Sequence, residues 1–83
     1  MELSDITHFL AVAAAGGISH AAKRLHTVQS NVSSHIKALE DELGVELFRR
    51  HARGMTLTNA GEAFLPYAER ITALLREATQ VVG

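Results

Sequence analysis

Apolar residues recur along this chain first with a helical period, then briefly with a period of two, then with a helical period again. In the first stretch Ile6, Phe9, Leu10 and Ala13 fall at i, i+3, i+4 and i+7, which predicts a helix over Leu3 to Ala15. Ser4 or Asp5 supplies its N-cap, and Gly16-Gly17 ends it, because glycine enters the left-handed region at low cost. Ser19 then caps a shorter helix over His20 to Leu25, where Ala21 and Ala22 allow close approach of another helix and Leu25 anchors the far end. His26-Thr27 is too short a connection for an antiparallel pair of long helices and suits two helices crossing steeply, although it holds no glycine. Thr27 caps the next helix, over Val28 to Leu43. Val32, Ile36, Leu39 and Leu43 share one face of it; Ser30, Ser33, Ser34 and Lys37 share the other. Gly44 stops it.

From Val45 to Thr58 the period changes. Leu47-Phe48 and then Met55 and Leu57 read as two short strands, joined by His51-Ala52-Arg53-Gly54, with Gly54 free to take a positive φ. A last helix starts at Thr58 or Asn59, with Asn59 and Glu62 as a capping box, and runs to Val82. Phe64, Tyr67, Ala68, Ile71, Leu74, Leu75, Ala78, Val81 and Val82 alternate spacings of three and four along it, and Pro66 should bend its first turns. Such a helix exceeds what a small domain can cover. Its outer half is expected to pair with the same helix of a second subunit through Phe64, Tyr67, Ile71, Leu74, Leu75, Ala78 and Val82. The other occupant would be a further C-terminal domain.

Composition adds limits. With 83 residues there is one small domain, which buries only about 60–65% of its unfolded surface. The absence of cysteine excludes disulfides and thiolate metal sites. No apolar run approaches the roughly 18 residues of a membrane span, and the N-terminus lacks the pattern of a signal peptide, so a cytoplasmic location is expected.

Charge changes the picture more. The formal net charge is −1, which alone argues against a nucleic-acid partner. Yet no acidic residue lies between Asp5 and Glu40, where Lys23, Arg24 and Lys37 occur with His20, His26 and His35. Glu40, Asp41, Glu42 and Glu46 form an acidic block, and Arg49, Arg50, His51 and Arg53 form a second basic cluster. A folded domain can therefore present one positive face, or these are ordinary solvated charges.

The first turn of the third helix carries Gln29, Ser30 and Asn31, near unpaired backbone N–H groups that favour a phosphate. The Gln29 amide donates and accepts at once, which suits adenine N6 and N7. Singly, Gln29, Ser30, Ser33 and Ser34 read as solvated; together, on one face beside basic residues, they read as a DNA contact. The acidic block confines any approach to the N-terminal half of this helix. Lys23 and Arg24 would hold phosphates beside the groove, and Arg53 at the hairpin tip would enter a minor groove or clamp a phosphate. Arg49 and Arg50 would do the same or keep an edge strand soluble. The five histidines show no i, i+4 pair and no H-E-x-x-H pattern, so no metal site is expected. Neither a nucleophile–base pair nor a glycine-rich phosphate loop is present, so neither catalysis nor a cofactor is expected.

The stretches F-L-A-V-A-A-A-G-G-I-S-H-A-A-K-R-L-H, V-Q-S-N-V-S-S-H-I-K-A-L-E-D-E-L-G-V-E-L-F-R-R and R-G-M-T-L-T-N-A-G-E resemble the N-terminal DNA-binding domain of LysR-type transcriptional regulators. The resemblance covers essentially the whole chain. It implies dimers, often paired into tetramers, on partly palindromic double-stranded operators, with a small-molecule inducer acting through a following effector-binding domain. By position, the family's base-contacting residues fall on Gln29, Ser30, Ser33 and Ser34, and its minor-groove arginine on Arg53. Proline is common in the family where Ser30 stands, a small or hydroxyl residue where Val28 stands, and arginine where Ser34 stands. His35 or Lys37 would then compensate for the arginine.

The expected fold is mainly α: a winged helix-turn-helix over residues 1–58, with a three-helix core and a small β-hairpin wing, followed by a linker and dimerisation helix over 59–83. The expected function is sequence-selective DNA binding, with the recognition helix in the major groove. The rival is a helical protein–protein dimerisation module with no DNA role, favoured by the acidic total and the long apolar helix.

Overall fold

The structure, a computed structural model, describes residues 1–83. Its elements follow in the order α1 (Leu3–Ala15), α2 (Ile18–Arg24), α3 (Gln29–Leu43), β1 (Phe48–His51), β2 (Gly54–Leu57) and α4 (Asn59–Val82). This is the expected winged helix-turn-helix with a long last helix. Phe9, Val12, Val32, Leu39 and Leu47 are the largest fully buried side chains, so α1, α3 and the approach to the wing meet in one core. Phe9 lies 5.3 Å from the Phe48 ring and 5.0 Å from the Phe64 ring, nearly edge-on to the latter. Aromatic quadrupoles favour that arrangement.

The helix starts differ from expectation, each for a local reason. The N-cap of α1 is Glu2, whose N–H donates to Asp5 Oδ2 at 3.2 Å, rather than Ser4 or Asp5. Asp5 sits in the first turn and its carboxylate reaches back. The N-cap of α2 is Gly17 rather than Ser19, because Ile18 is buried as the first helical residue. After α2 the chain turns through His26 at φ 54°. His26 N–H donates to the Lys23 carbonyl at 3.2 Å and Thr27 N–H to the Ala22 carbonyl at 3.0 Å. This is a Schellman closure with histidine in the left-handed position that glycine usually fills. The cap of α3 is the backbone of Val28; the Thr27 hydroxyl accepts instead from Asn31 Nδ2 at 3.1 Å. Val32, Ile36 and Leu39 are buried as expected, whereas Leu43, at the end of that stripe, is exposed.

In the wing, Phe48 pairs with Leu57, Arg49 with Thr56, Arg50 with Met55 and His51 with Gly54, antiparallel. Leu47, expected to open the first strand, is buried just before it. Its N–H and that of Phe48 donate to Glu40 Oε2 at 2.6 and 3.3 Å. Met55 N–H donates to the Gly16 carbonyl at 2.9 Å and docks the wing on α1. The approach is so close that a Cβ on Gly54 would lie 2.3 Å from that oxygen.

Thr58 caps α4 by accepting from Gly61 N–H at 3.0 Å, and its own hydroxyl donates to the Glu46 carbonyl at 2.6 Å. That hydroxyl takes the role assigned to the Asn59–Glu62 box. The helix runs unbroken through Pro66. Ala68 is its last buried residue; Ile71, Leu74, Leu75, Val81 and Val82 are exposed. No helix is long and apolar enough to cross a membrane.

Candidate nucleic-acid interface

The first half of α3 presents Gln29, Ser30, Ser34 and Lys37 outward, with Ser33 half-buried beside them. About 100° per residue places Ser30 and Ser34 roughly 160° from buried Val32, whereas Gln29, about 60° from it, is exposed in the first turn of the helix. Two hollows flank this face. One lies between α2 and α3 and is lined by Ser19, Lys23, Thr27, Gln29 and Ser30. The other lies between α3 and the wing, where Ser33, Lys37, Arg49 and Arg50, with Glu40 and Glu46 among them, meet the side of the core at Ile18 and Phe48. Arg24 is exposed beside Lys23. Arg53 stands at the wing tip, outside both hollows, its N–H donating to His51 Nδ1 at 3.2 Å.

The cations here are available. The ion pairs of the chain are Met1 ammonium–Glu42, His35–Asp5 and Lys37–Asp41, so Lys23, Arg24, Arg49, Arg50 and Arg53 have no carboxylate partner. The Lys37–Asp41 contact is long, 3.4 Å, and both side chains are mostly exposed, so it holds Lys37 weakly. Three of the four carboxylates of the acidic block have partners of their own, and the fourth, Glu46, lines the hollow beside the wing. Glu40 serves the wing amides, Asp41 faces Lys37 and Glu42 accepts from the N-terminal ammonium at 2.6 Å. That contact raises the ammonium's pKa above its usual value of 8.0, chiefly through the hydrogen bond to Glu42. Net charge over the chain therefore says little about this face.

Ser34 Oγ donates to the Ser30 carbonyl at 2.9 Å, so its oxygen lone pairs remain free to accept. His35 departs from expectation. It lies about 60° from Val32 around the helix, on the side facing α1 rather than the outward face. Its Nδ1 meets Asp5 Oδ1 at 2.7 Å and its ring stacks on His8 at 3.9 Å. It cannot stand in for an outward arginine at Ser34. Asp5 is buried, which raises its carboxyl pKa, but the hydrogen bonds from His35 and the Glu2 N–H outweigh this and hold it below the usual range. Phe64 also departs from expectation, because it packs edge-on against Phe9 and is partly used by its own core.

A family model described as bacterial regulatory helix-turn-helix protein, lysR family, matches residues 3–62. The chain belongs to the lysR family. It is 55% identical over 78 residues to the HTH-type transcriptional regulator YofA of Bacillus velezensis, covering 94% of this chain and 27% of that protein. It is 51% identical over 81 residues to the regulator CzcR of Bacillus cereus, covering 98% and 28%. The chain thus spans about a quarter of the length of these lysR-family relatives. Among solved structures, it matches the DNA complex of the CbnR DNA-binding domain with a TM-score of 0.94 and 44% identity, over 99% of this chain and 94% of that one. The BenM DNA-binding domain on its benA site 1 DNA matches with a TM-score of 0.94 and 30% identity, over 99% and 95%. The chain is a lysR-family DNA-binding domain, and the family is one of transcriptional regulators rather than enzymes.

Proposed function

We propose that this domain reads double-stranded operator DNA with the first half of α3 in the major groove. Gln29 and Ser33 are the base-contacting side chains, with Ser30 and Ser34 beside them. Lys23, Arg24, Lys37 and Arg50 hold phosphates, and Arg53 reaches the adjacent minor groove or its phosphates. Residues 1–58 form the reading unit and residues 59–83 join two such units. The observation that carries this reading is the outward polar face of α3 flanked on both sides by cations without carboxylate partners. The DNA complexes of the CbnR and BenM domains support it.

Dimerisation is supported by α4, whose Tyr67, Leu74 and Leu75 are 60%, 63% and 48% exposed on a helix that its own core leaves uncovered after Ala68. A dimer suits a two-fold operator. In the whole protein, regulation of transcription in the cytoplasm, pairing into tetramers and response to a small-molecule inducer follow from the lysR-family reading. Binding of promoter duplexes across salt concentrations tests it. Affinity should fall linearly in log–log form with a slope set by several phosphates, and a salt-independent or undetectable interaction would refute it.

A further inference from the structure

The first turn of α3 is set without a side-chain cap, since Val28 contributes only backbone. Gln29 and Ser30 point outward there, while Asn31 is half-buried and turned toward α1. Its Nδ2 donates to Thr27 Oγ1 at 3.1 Å and faces His8 Nε2 at 3.5 Å. His8 Nδ1 lies against the Ser4 carbonyl. A carbonyl only accepts, so Nδ1 carries the proton and the neutral ring presents its lone pair at Nε2, where the Asn31 amide donates. The ring is held by stacking on His35 at 3.9 Å and 25°, and His35 is itself held by Asp5. Asp5, His35, His8, Asn31 and Thr27 thus make one continuous polar seam from the start of α1 to the turn before the recognition helix.

We propose that His8 is a positioning residue for DNA reading, fixing through Asn31 the attitude of the turn that carries Gln29 and Ser30. The proposal rests on the reading that this turn meets base edges. Of the two rings, His35 pairs with Asp5, and the N-terminal ammonium that also acts on Asp5 is itself paired with Glu42. No carboxylate of α2, the wing or α4 pairs with either ring.

The test uses a duplex selected from a random pool by this chain and a scrambled duplex of equal length, with affinities read by fluorescence anisotropy. His8→Ala should weaken the selected duplex about five-fold, the worth of one hydrogen bond, and leave the scrambled duplex unchanged. His8→Gln places an amide oxygen near the Nε2 position and should restore binding. Asn31→Ala should repeat the loss of His8→Ala, and it carries the test with His8→Gln if His8→Ala fails to melt cooperatively. Equal losses in His8→Ala and His8→Gln would overturn the proposal and leave His8 as packing. A wild type that does not distinguish the two duplexes overturns the base-reading role of the turn itself, and the proposal with it.

Discussion

Replacing Glu40 with Ala removes the one carboxylate that holds the wing's first strand to the recognition helix. Its Oε2 accepts from the N–H groups of Leu47 and Phe48 at 2.6 and 3.3 Å. Leu47 is only 1% exposed and Phe48 only 6%, so water cannot readily take the carboxylate's place. A hydrogen bond to a charged group contributes about 1.5–3 kcal/mol, and the longer contact less, so the loss should be about 2–4 kcal/mol. A domain of this size has about 4–12 kcal/mol in total. Each kcal/mol shifts Tm by about 4–8 °C at this length, so Glu40→Ala should lower Tm by at least about 8 °C. Glu40→Gln keeps an acceptor oxygen without the charge and should lose about half as much. Differential scanning calorimetry measures both, and hydrogen exchange should show the Leu47 and Phe48 amides losing protection first. A fall of less than about 2 °C in Glu40→Ala, with those two amides still protected, would refute the reasoning.

Gly54→Ala should destabilise by about 1–3 kcal/mol in urea denaturation, because Gly54 has φ 132° and its added Cβ would meet the Gly16 carbonyl that anchors Met55. The Asp5 carboxyl titrates below its usual 3.8 in the fold, so its contribution is complete above that value and is lost as pH falls through the folded value. Urea midpoints taken from about pH 5 down to about pH 2 should therefore decline less steeply in Asp5→Asn than in wild type; parallel declines would remove Asp5 from the acid response. Leu74→Glu, at an exposed position of α4, should yield a monomer in sedimentation with an unchanged fold by circular dichroism. A wild type that already sediments as a monomer would refute dimerisation through α4.

Most of the architecture is legible in the pattern of apolar positions. Val32, Ile36 and Leu39 mark α3, and the change to alternation at Met55 and Leu57 marks the wing, because burial on one face imposes the period of the element. What escapes the pattern are contacts between elements. The α3 start lacks glycine and a hydroxyl cap because His26 takes the left-handed position and Val28 closes the turn through its backbone. Glu40 reads as a repulsive charge until the wing brings two amides to it. His35 lies within about 60° of Val32 on the helix, which marks it as flanking the core, but the partners it meets there, Asp5 and His8 on α1, appear only in the fold. Phe64 belongs to an amphipathic stripe that serves two surfaces, its own core near Phe9 and the exposed length of α4 beyond.

The most direct measurement compares wild type and Gln29→Ala on a duplex selected by the wild-type chain and on a scrambled duplex, at fixed salt. If the first turn of α3 reads base edges, Gln29→Ala should cost about 1–3 kcal/mol on the selected duplex and leave the scrambled one unchanged. An equal loss on both duplexes, or none on either, would contradict a base-reading role for this turn.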